Sequence, residues 1–283
     1  MVETSADVRV VVRRARAGGG TIGLVPTMGA LHDGHMALVR SARRECELVV
    51  VSIFVNPAQF SPGEDFARYP RDLKADAARL LDAGADVLFA PGADAMYPPG
   101  YQTWVEVSRL SRGMCGRSRP GHFRGVATVV TKLFNIVQPD RAYFGQKDGQ
   151  QLRIVRRLAR DLDFPVNIVA VPTVREESGL ALSSRNQYLS AEERAAAAAL
   201  SRALFSARDL IAAGERDAAA VRRAALEVIA AEPLVQLEYL VVARSEDLKP
   251  QRSLAGEVCI ALAARVGDTR LIDNVTVNAG GTG

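Results

Sequence analysis

Short runs of apolar and β-branched residues alternate with longer amphipathic stretches through the N-terminal part of the chain. The apolar runs predict five strands, at residues 21–25, 48–55, 86–89, 142–144 and 166–171. The amphipathic stretches predict helices at residues 34–46, 72–83, 126–137 and 148–162. Strands that alternate with helices of this length are typical of βαβ units in a parallel sheet. The pattern therefore predicts a doubly wound α/β domain.

The pattern changes in the C-terminal part of the chain. Ser190 and Glu193 form a capping box that starts an Ala-rich helix extending to about Ala213. A further helix and three strands follow, at about residues 217–231, 237–242, 258–263 and 269–273. Helices grouped first and strands last predict a small α+β domain and not a continuation of the parallel sheet. The expected domains are residues 1–173 and 174–283.

Length and composition agree with two globular domains. The chain has 283 residues, of which 48% are hydrophobic and 24% charged, and roughly 150 residues per domain is usual. Its longest strongly apolar run, at residues 48–55, is far shorter than the roughly 18–20 residues of a membrane span. No apolar segment follows the N-terminal arginines, so we expect an untargeted cytoplasmic protein with no membrane contact.

Charge and cysteine content narrow the class of partner. The net charge of +4 suits either nucleic acid or a pocket for a polyanionic small molecule. Four arginines cluster in a Gly- and Pro-rich stretch: Arg112, Arg117, Arg119 and Arg124. Phe123 is the one aromatic residue interleaved with them that could stack on a base, which weakens the nucleic-acid alternative. The three cysteines are too widely spread for a disulfide framework or a zinc cluster.

The first candidate for chemistry is the segment PTMGALHDGH, which follows the first predicted strand and precedes a helix. In a parallel sheet this position opens onto the crevice where ligands bind. His32 and His35 are three residues apart, so both imidazoles can lie beside the free N–H groups of the helix N-terminus, a favourable place for phosphate. With only His122 as a further histidine and no cysteine nearby, a zinc site is the weaker interpretation.

Two further segments stand at similar positions. Lys147 lies in the segment FGQKDGQQ, which ends the fourth predicted strand and opens a helix, and a lysine there can reach a nucleotide phosphate. Ser183, Ser184 and Arg185 offer neutral and charged donors in sequence. Taken alone, these residues could be a solvated lysine and an ordinary loop. Because they recur at the ends of successive elements, they predict a nucleoside triphosphate site.

These segments together resemble the pantoate–β-alanine ligase family. The matching segments are PTMGALHDGH, SIFVNPAQF, RPGHFRGVATVVTKLFNIVQPD, YFGQKDGQQ and PTVREESGLALSSRNQYLS. With their spacing they extend from about Thr21 to Asn274. The combination is more specific than the HxGH element alone, which nucleotidylyl transferases share. Another HxGH transferase is the enzymatic alternative, but the segments around Asn56 and Lys147 do not belong to that pattern.

The resemblance implies a fold and a reaction. The expected architecture is a Rossmann-like N-terminal domain that binds ATP and pantoate, followed by a smaller α+β C-terminal domain that closes over the active site as a lid. The expected assembly is a homodimer. The expected reaction condenses (R)-pantoate with β-alanine, is driven by ATP and Mg²⁺, and passes through a pantoyl-adenylate with AMP and pyrophosphate as products.

The resemblance also implies roles for individual residues. It makes His35, His32 and Lys147 catalytic, with His35 the proton donor. It assigns ATP binding to Met28, Gly29, Ala30, Leu31, His32, Asp33, Gly34, His35, Gly145, Gln146, Lys147, Asp148, Val174, Leu182, Ser183, Ser184 and Arg185. Gln59 and Gln151 correspond to residues that bind pantoate, Gln59 also to one that binds β-alanine, and Asp76 to a possible Mg²⁺ ligand.

The chain departs from the family pattern at two positions. Gly149 stands where a larger residue is usual, and we expect local loosening there because glycine costs a helix roughly 0.5–1 kcal/mol relative to alanine. Leu182 replaces a methionine of similar volume, and we expect it to pack equivalently.

Overall fold

The computed structural model describes residues 1–280. The chain forms two compact units, and the first comprises Met1–Gly145 and Gln150–Pro172. The second comprises Gln146–Gly149 and the chain from Thr173 onward. The main division thus falls one residue before the expected position. The short segment Gln146–Gly149 belongs with the second unit, although the sequence pattern places it in the first domain.

A five-stranded parallel sheet forms the centre of the first unit. Its strands are β1 (Ile22–Thr27), β2 (Leu48–Ile53), β3 (Val87–Phe89), β4 (Arg141–Gly145) and β5 (Asn167–Val171). They are arranged in the order β3-β2-β1-β4-β5. Leu24 of β1 lies opposite Val50 of β2 on one side and Ala142 of β4 on the other. The strand order therefore reverses between β1 and β4, which creates the crevice where doubly wound proteins bind ligands. The predicted fold class is confirmed.

Helices connect these strands. Within the described residues of the first unit they are α1 (Ser5–Ala17), α2 (Asp33–Glu45), α3 (Leu73–Asp82), α4 (Ala93–Met96), α5 (Cys115–Ser118), α6 (His122–Val137) and α7 (Gly149–Asp161). The sequence pattern did not predict α1. This helix buries only Val8 and Val12 and is otherwise Arg-rich and mostly exposed, so its apolar stripe is narrow. The usable signal is the cap, since the Thr4 side chain accepts the N–H of Asp7.

Helix α6 begins earlier than predicted, at His122 instead of residue 126. Its first turn contains Gly125, a residue type that normally marks a loop. Here the glycine is required by packing, because a Cβ at Gly125 would lie 2.2 Å from the carbonyl oxygen of Ala58. The close approach brings the start of α6 against the 3-10 turn Pro57–Gln59.

The second unit combines helices with an antiparallel sheet. Its elements are α8 (Ala191–Ala197), α9 (Ala199–Ala212), α10 (Ala218–Ala230), β6 (Val235–Arg244), β7 (Glu257–Val266) and β8 (Thr269–Asn278). The strands are arranged in the order β6-β7-β8. Leu200 and Leu204 of α9 pack with Ile260 and Leu262 of β7 in one buried core. The predicted α+β class holds, and the three strands extend beyond their predicted ends.

The prediction of one continuous Ala-rich helix is wrong, because the helix breaks at Ala198 into α8 and α9. Ala198 donates its N–H to the carbonyl of Ala195 in the tighter i→i−3 pattern. The Ser201 hydroxyl also donates to the Ala198 carbonyl at 3.0 Å, and such side-chain bonds bend helices. No helix among residues 1–280 combines the length and apolar character needed to span a membrane.

Candidate active site

Two imidazoles stand at the start of α2, directly after the carboxyl end of β1. His32 is the N-cap, and its Nδ1 accepts the N–H of Gly34 at 3.2 Å. The Nδ1 of His35 accepts the N–H of His32 at 3.3 Å, and the two ring centroids are 4.1 Å apart. A nitrogen that accepts a hydrogen bond carries no proton, so each neutral ring carries its proton on Nε2. Two Nε2–H donors therefore lie at this helix end.

The loop between β1 and α2 is shaped by a buried carboxylate. Gly29 and Ala30 both have positive φ angles, of 83° and 51°. The Asp76 carboxylate accepts the N–H of Ala30 at 3.0 Å and the N–H of Leu31 at 2.8 Å. Arg79 adds a bond to the Leu31 carbonyl at 3.1 Å. Helix α3 thus holds the loop in the conformation that delivers the two histidines.

These contacts change the expectation for Asp76. Its side chain is buried, with 4% exposure, and both oxygens already accept backbone N–H groups. Burial raises the pKa of Asp76, an effect that the N–H groups of Leu31 and Ala30 counteract. Among residues 1–280, no group of three or more His, Cys, Asp or Glu side chains is placed to hold a metal ion. Asp76 therefore anchors the loop, and its expected role as a Mg²⁺ ligand stays a prediction.

Gln59 lies at the end of the 3-10 turn that follows β2. Its side chain is 8% exposed. Its Nε2 lies 2.8 Å from the Met28 sulfur, and its Oε1 accepts from Asn56 Nδ2 at 3.2 Å. Asn56 in turn donates to the Gly125 carbonyl at 3.1 Å. The amide of Gln59 is thus held beside Met28, the first residue of the predicted nucleotide loop.

The backbone of Gln59 is fixed by residues that the sequence analysis did not assign to the site. His122 Nδ1 lies 2.7 Å from the Gln59 carbonyl, and Arg119 donates to the same carbonyl at 3.3 Å. Since a carbonyl can only accept, Nδ1 of His122 carries the proton and Nε2 accepts from Arg119 at 3.2 Å. Arg119 also forms two bonds with Glu64, at 2.7 and 2.6 Å.

The arginine cluster is partly explained by these contacts. Arg119 is bound to Glu64, and the Arg124 guanidinium lies 5.1 Å from the centre of the Trp104 ring. Burial acts to raise the pKa of Glu64, but hydrogen bonds and the charge from Arg119 outweigh burial and hold the pKa below its ordinary value. Two of the four arginines therefore form contacts within the protein, which further weakens the nucleic-acid alternative.

Two adjacent glutamines at the start of α7 differ in environment. Gln150 is buried, donates to the carbonyls of Leu110 and Gly113, both at 2.8 Å, and accepts the N–H of Cys115. Gln151 is half-buried. Gln150 therefore anchors a loop, and Gln151 is the one that can contact a ligand.

Apart from Gly145, the remaining predicted ATP residues belong to the second unit. Lys147 is 20% exposed, and its Nζ lies 3.7 Å from the Asp148 carboxylate. Leu182 donates its N–H to the Val174 carbonyl at 3.0 Å. Ser183 caps the 3-10 helix Ser184–Tyr188 by accepting the N–H of Arg185.

Asn186, a buried residue of that 3-10 helix, anchors it to the neighbouring segment of the chain. Its amide donates to Glu176 and to the Ala181 carbonyl, both at 3.1 Å. The half-buried side chains of Ser183, Ser184 and Arg185 are thus presented from a fixed backbone.

The predicted residues consequently fall into two sets. Residues 28–35 with Gln59, Gly145 and Gln151 belong to the first unit, and residues 146–148 with Val174 and 182–185 belong to the second. Gly145 ends β4, beside the switch point that β1 opens onto. A capped helix N-terminus with two imidazole donors at the switch point of a parallel sheet is typical of nucleotide-binding α/β enzymes that act on phosphate groups.

Comparison with known proteins specifies the enzyme further. Residues 1–276 match the family model described as pantoate-beta-alanine ligase. The chain is 57% identical over 277 residues to the pantothenate synthetase of Moorella thermoacetica, covering 98% of each chain. It is 57% identical to the Heliobacterium modesticaldum pantothenate synthetase, covering 98% of this chain and 99% of the relative. The chain belongs to the pantoate–β-alanine ligase family and is a ligase.

Solved structures agree with this assignment. The pantothenate synthetase of Thermus thermophilus superposes with a TM-score of 0.93 at 51% identity, covering 98% of this chain and 99% of that one. The pantoate-beta-alanine ligase of Francisella tularensis, complexed with beta-gamma ATP and beta-alanine, superposes with a TM-score of 0.77 at 33% identity, covering 97% of both chains. The family resemblance is confirmed, and the alternative of another HxGH transferase is set aside.

Proposed function

We propose that the protein joins (R)-pantoate to β-alanine in two steps. In the first, the pantoate carboxylate attacks the α-phosphate of ATP, a P–O bond forms, and pyrophosphate leaves. In the second, the β-alanine amine attacks the acyl carbon of pantoyl-adenylate, an amide forms, and AMP leaves with its electron pair. The observation that carries the proposal is the pair of Nε2–H donors on the α2 N-terminus, in a chain that matches this ligase family along nearly its full length.

The nucleotide half of the site works by neutralising charge. Phosphoryl chemistry depends mainly on positioning and electrostatic stabilisation. His32 and His35 direct Nε2–H donors toward phosphate, and His35, the expected proton donor, stabilises the leaving pyrophosphate by a hydrogen bond from its Nε2–H. Lys147 and Arg185 add cationic donors, and Ser183 and Ser184 add neutral ones. The backbone of residues 28–35 and 145–148, with Val174 and Leu182, completes the ATP pocket.

The acid half of the site relies on neutral amides. Gln59 and Gln151 bind pantoate, and Gln59 also contacts β-alanine. An amide satisfies the hydroxyl and carboxylate groups without the strong ground-state stabilisation that a bidentate arginine would give the attacking carboxylate. The dense bonding of Gln59 to Asn56, His122 and Arg119 supports this role, because a specificity residue must be held still.

Mg²⁺ enters with the substrate. Since Asp76 is committed to backbone N–H groups, we propose that ATP binds as its magnesium complex, with the ion held by phosphate and water oxygens. We further propose that the second unit acts as a lid that protects the adenylate from water, and that the enzyme works as a cytoplasmic homodimer.

The test is direct detection of the intermediate. Incubation with ATP, Mg²⁺ and pantoate in the absence of β-alanine should yield pantoyl-adenylate by mass spectrometry, with pyrophosphate released. Adding β-alanine should convert the adenylate to pantothenate and AMP. Release of AMP without pantoate, or of ADP in place of AMP, would contradict the proposed reaction.

A further inference from the structure

One buried amide ties the predicted catalytic lysine to the C-terminal sheet. Asn274 of β8 is 9% exposed. Its Nδ2 donates to the carbonyl of Gln146 at 3.0 Å and to the carbonyl of Lys147 at 2.7 Å. Both amide protons of the side chain are therefore used, and both acceptors lie in one short turn. This contact explains why Gln146–Gly149 belongs with the second unit, although β4 of the parallel sheet immediately precedes it.

The strand that carries Asn274 is itself fixed at this point. Its neighbour Asp273 is buried, and both carboxylate oxygens bond to Arg175, at 2.6 and 3.0 Å. The same carboxylate accepts the N–H of Asn274 at 2.8 Å. Burial raises the pKa of Asp273, and the positive charges of Arg175 and Lys147 act in the opposite direction. The Lys147 ammonium is thus within electrostatic reach of this pair.

Arg175 extends the same network toward the Ser-Ser-Arg segment. Its guanidinium also donates to the Gly179 carbonyl at 3.0 Å, and Arg175 pairs with Ala181 in an isolated β-bridge. Asn274 therefore holds the turn that contains Lys147. Its neighbour Asp273 holds Arg175, in the segment that leads to Ser183. Strand β8 thus fixes the positions of two segments that are distant in sequence, the Lys147 turn and the segment before Ser183.

We propose that Asn274 is a positioning residue for Lys147, and that it makes the lysine part of the second unit together with Ser183, Ser184 and Arg185. The inference rests on the proposed role of Lys147 in ATP binding. A lysine side chain is a mobile point charge on a four-carbon stem, so the place its ammonium can reach is set by where its backbone is held. Asn274 supplies that constraint from a strand more than one hundred residues away in the sequence.

The primary test compares Asn274→Ala with Asn278→Ala. The control removes the same residue type from the same strand, but its side chain lies at the exposed end of β8, where it accepts the N–H of Gly280. We expect adenylate formation in a single turnover, at saturating ATP and pantoate, to slow by about ten-fold or more in Asn274→Ala, a typical loss for a misplaced catalytic group. The pantoate KM of Asn274→Ala should stay within two-fold of the parent value. The rate of adenylate formation in Asn278→Ala should also stay within two-fold of the parent rate.

A double variant separates positioning from general damage to the fold. If Asn274 acts through Lys147, the variant carrying both Asn274→Ala and Lys147→Ala should form adenylate no more slowly than Lys147→Ala alone. Losses that multiply would overturn the proposal. Amide hydrogen exchange gives a readout without catalysis, and we expect faster exchange at residues 146–150 in Asn274→Ala but not in Asn278→Ala. If the alanine variant does not fold, Asn274→Ser, which keeps one shorter donor, takes its place.

The outcomes distinguish the two proposals involved. Normal adenylation in Asn274→Ala, with slow adenylation in Lys147→Ala, would overturn the positioning role and leave the proposed function intact. Normal adenylation in Lys147→Ala would instead overturn the assignment of the lysine to the ATP site, and the inference with it.

Discussion

The Nδ1 atom of His122 lies 2.7 Å from the carbonyl oxygen of Gln59, across 63 residues of sequence. The imidazole is buried and bridges that carbonyl to the Arg119 guanidinium, which Glu64 holds in place. All three histidines of the chain thus contribute to the predicted active site, but by different means. His32 and His35 are proposed to bind phosphate, whereas His122 fixes the backbone of Gln59, which is proposed to bind the acid substrate.

Replacing His122 should therefore affect pantoate more than ATP. We expect His122→Phe to raise the pantoate KM several-fold, because it leaves the Gln59 carbonyl with one long bond to Arg119 and costs roughly 1–3 kcal/mol. His122→Asn should raise the pantoate KM less, since its amide nitrogen can take the place of Nδ1 and donate to the Gln59 carbonyl. Steady-state kinetics with each substrate varied in turn would check this. Equal losses in both variants, or a change confined to ATP, would show that the bond to Gln59 is not what matters.

The Glu64–Arg119 pair predicts a pH dependence of stability. Because Arg119 lowers the pKa of Glu64 below its ordinary value of 4.5, the stabilisation is complete above pH 4.5 and is lost as the pH falls through the lower pKa of the folded state. Glu64→Gln should lower the free energy of unfolding by about 1 kcal/mol at neutral pH and flatten its decline below pH 4.5. Denaturant titrations at several pH values, with the exposed Glu3→Gln as a control, would measure this. An unchanged acid slope would contradict it.

Much of the fold follows from local periodicity. Five strands and the helices after them were predicted within a few residues, because buried parallel strands and amphipathic helices each have a clear repeat. The failures have local causes of a different kind. Gly125 lies inside α6 because Ala58 approaches too closely for any side chain, and the Ala-rich helix breaks where Ser201 bonds to the carbonyl of Ala198. Neither contact has a signature in a short stretch of sequence.

In the candidate site, too, features set by local sequence were predictable and features set by distant contacts were not. The helix cap that holds His32 and His35 was predictable, since three-residue spacing at a helix start is a local feature. Asn274 and His122 act through contacts with residues 127 and 63 positions away, so no local pattern identifies them. Asp76 adds a further case, because its position in the family pattern indicates a metal ligand, whereas the backbone bonds that it accepts from Ala30 and Leu31 are seen only in the structure.

Lys147→Ala should lower kcat/KM by at least about 10²-fold, because one preorganised donor at developing charge is commonly worth 10²–10³ in rate. Lys147→Arg should recover only part of this, since a planar guanidinium does not replace a compact ammonium. Lys249→Ala is a matched control, as its side chain is 68% exposed in the same unit. Activity within a few-fold of the parent in folded Lys147→Ala would mean that the proposed ATP site is misplaced.

Two substitutions can separate the catalytic role of His35 from its role as a cap. His35→Asn keeps an acceptor near the position of Nδ1, so the bond from the His32 N–H can persist while the Nε2–H donor is lost. We expect adenylation to slow by about 10²-fold or more, since one preorganised donor at developing charge is commonly worth 10²–10³ in rate. His35→Gln should retain more activity, because glutamine at this position can accept the N-cap N–H as in an ordinary capping box and its amide also offers a nitrogen donor near Nε2. An unaltered single-turnover rate in His35→Asn would remove this residue from the catalytic set.

Gln59 and Gln151 should define the acid substrate independently of the nucleotide. If both bind pantoate, truncating either to alanine leaves substrate hydroxyl or carboxylate groups without partners, at roughly 1–3 kcal/mol each. We expect the pantoate KM to rise at least several-fold in Gln59→Ala and in Gln151→Ala. The control Gln102→Ala, at an exposed position, should have the pantoate KM of the parent. ATP affinity, measured by calorimetry without pantoate, should stay within about two-fold, because uncoupled sites contribute independently. Gln59→Ala should also raise the β-alanine KM, which Gln151→Ala should leave unchanged. A variant that lost ATP affinity while keeping its pantoate KM would place that glutamine in the nucleotide pocket.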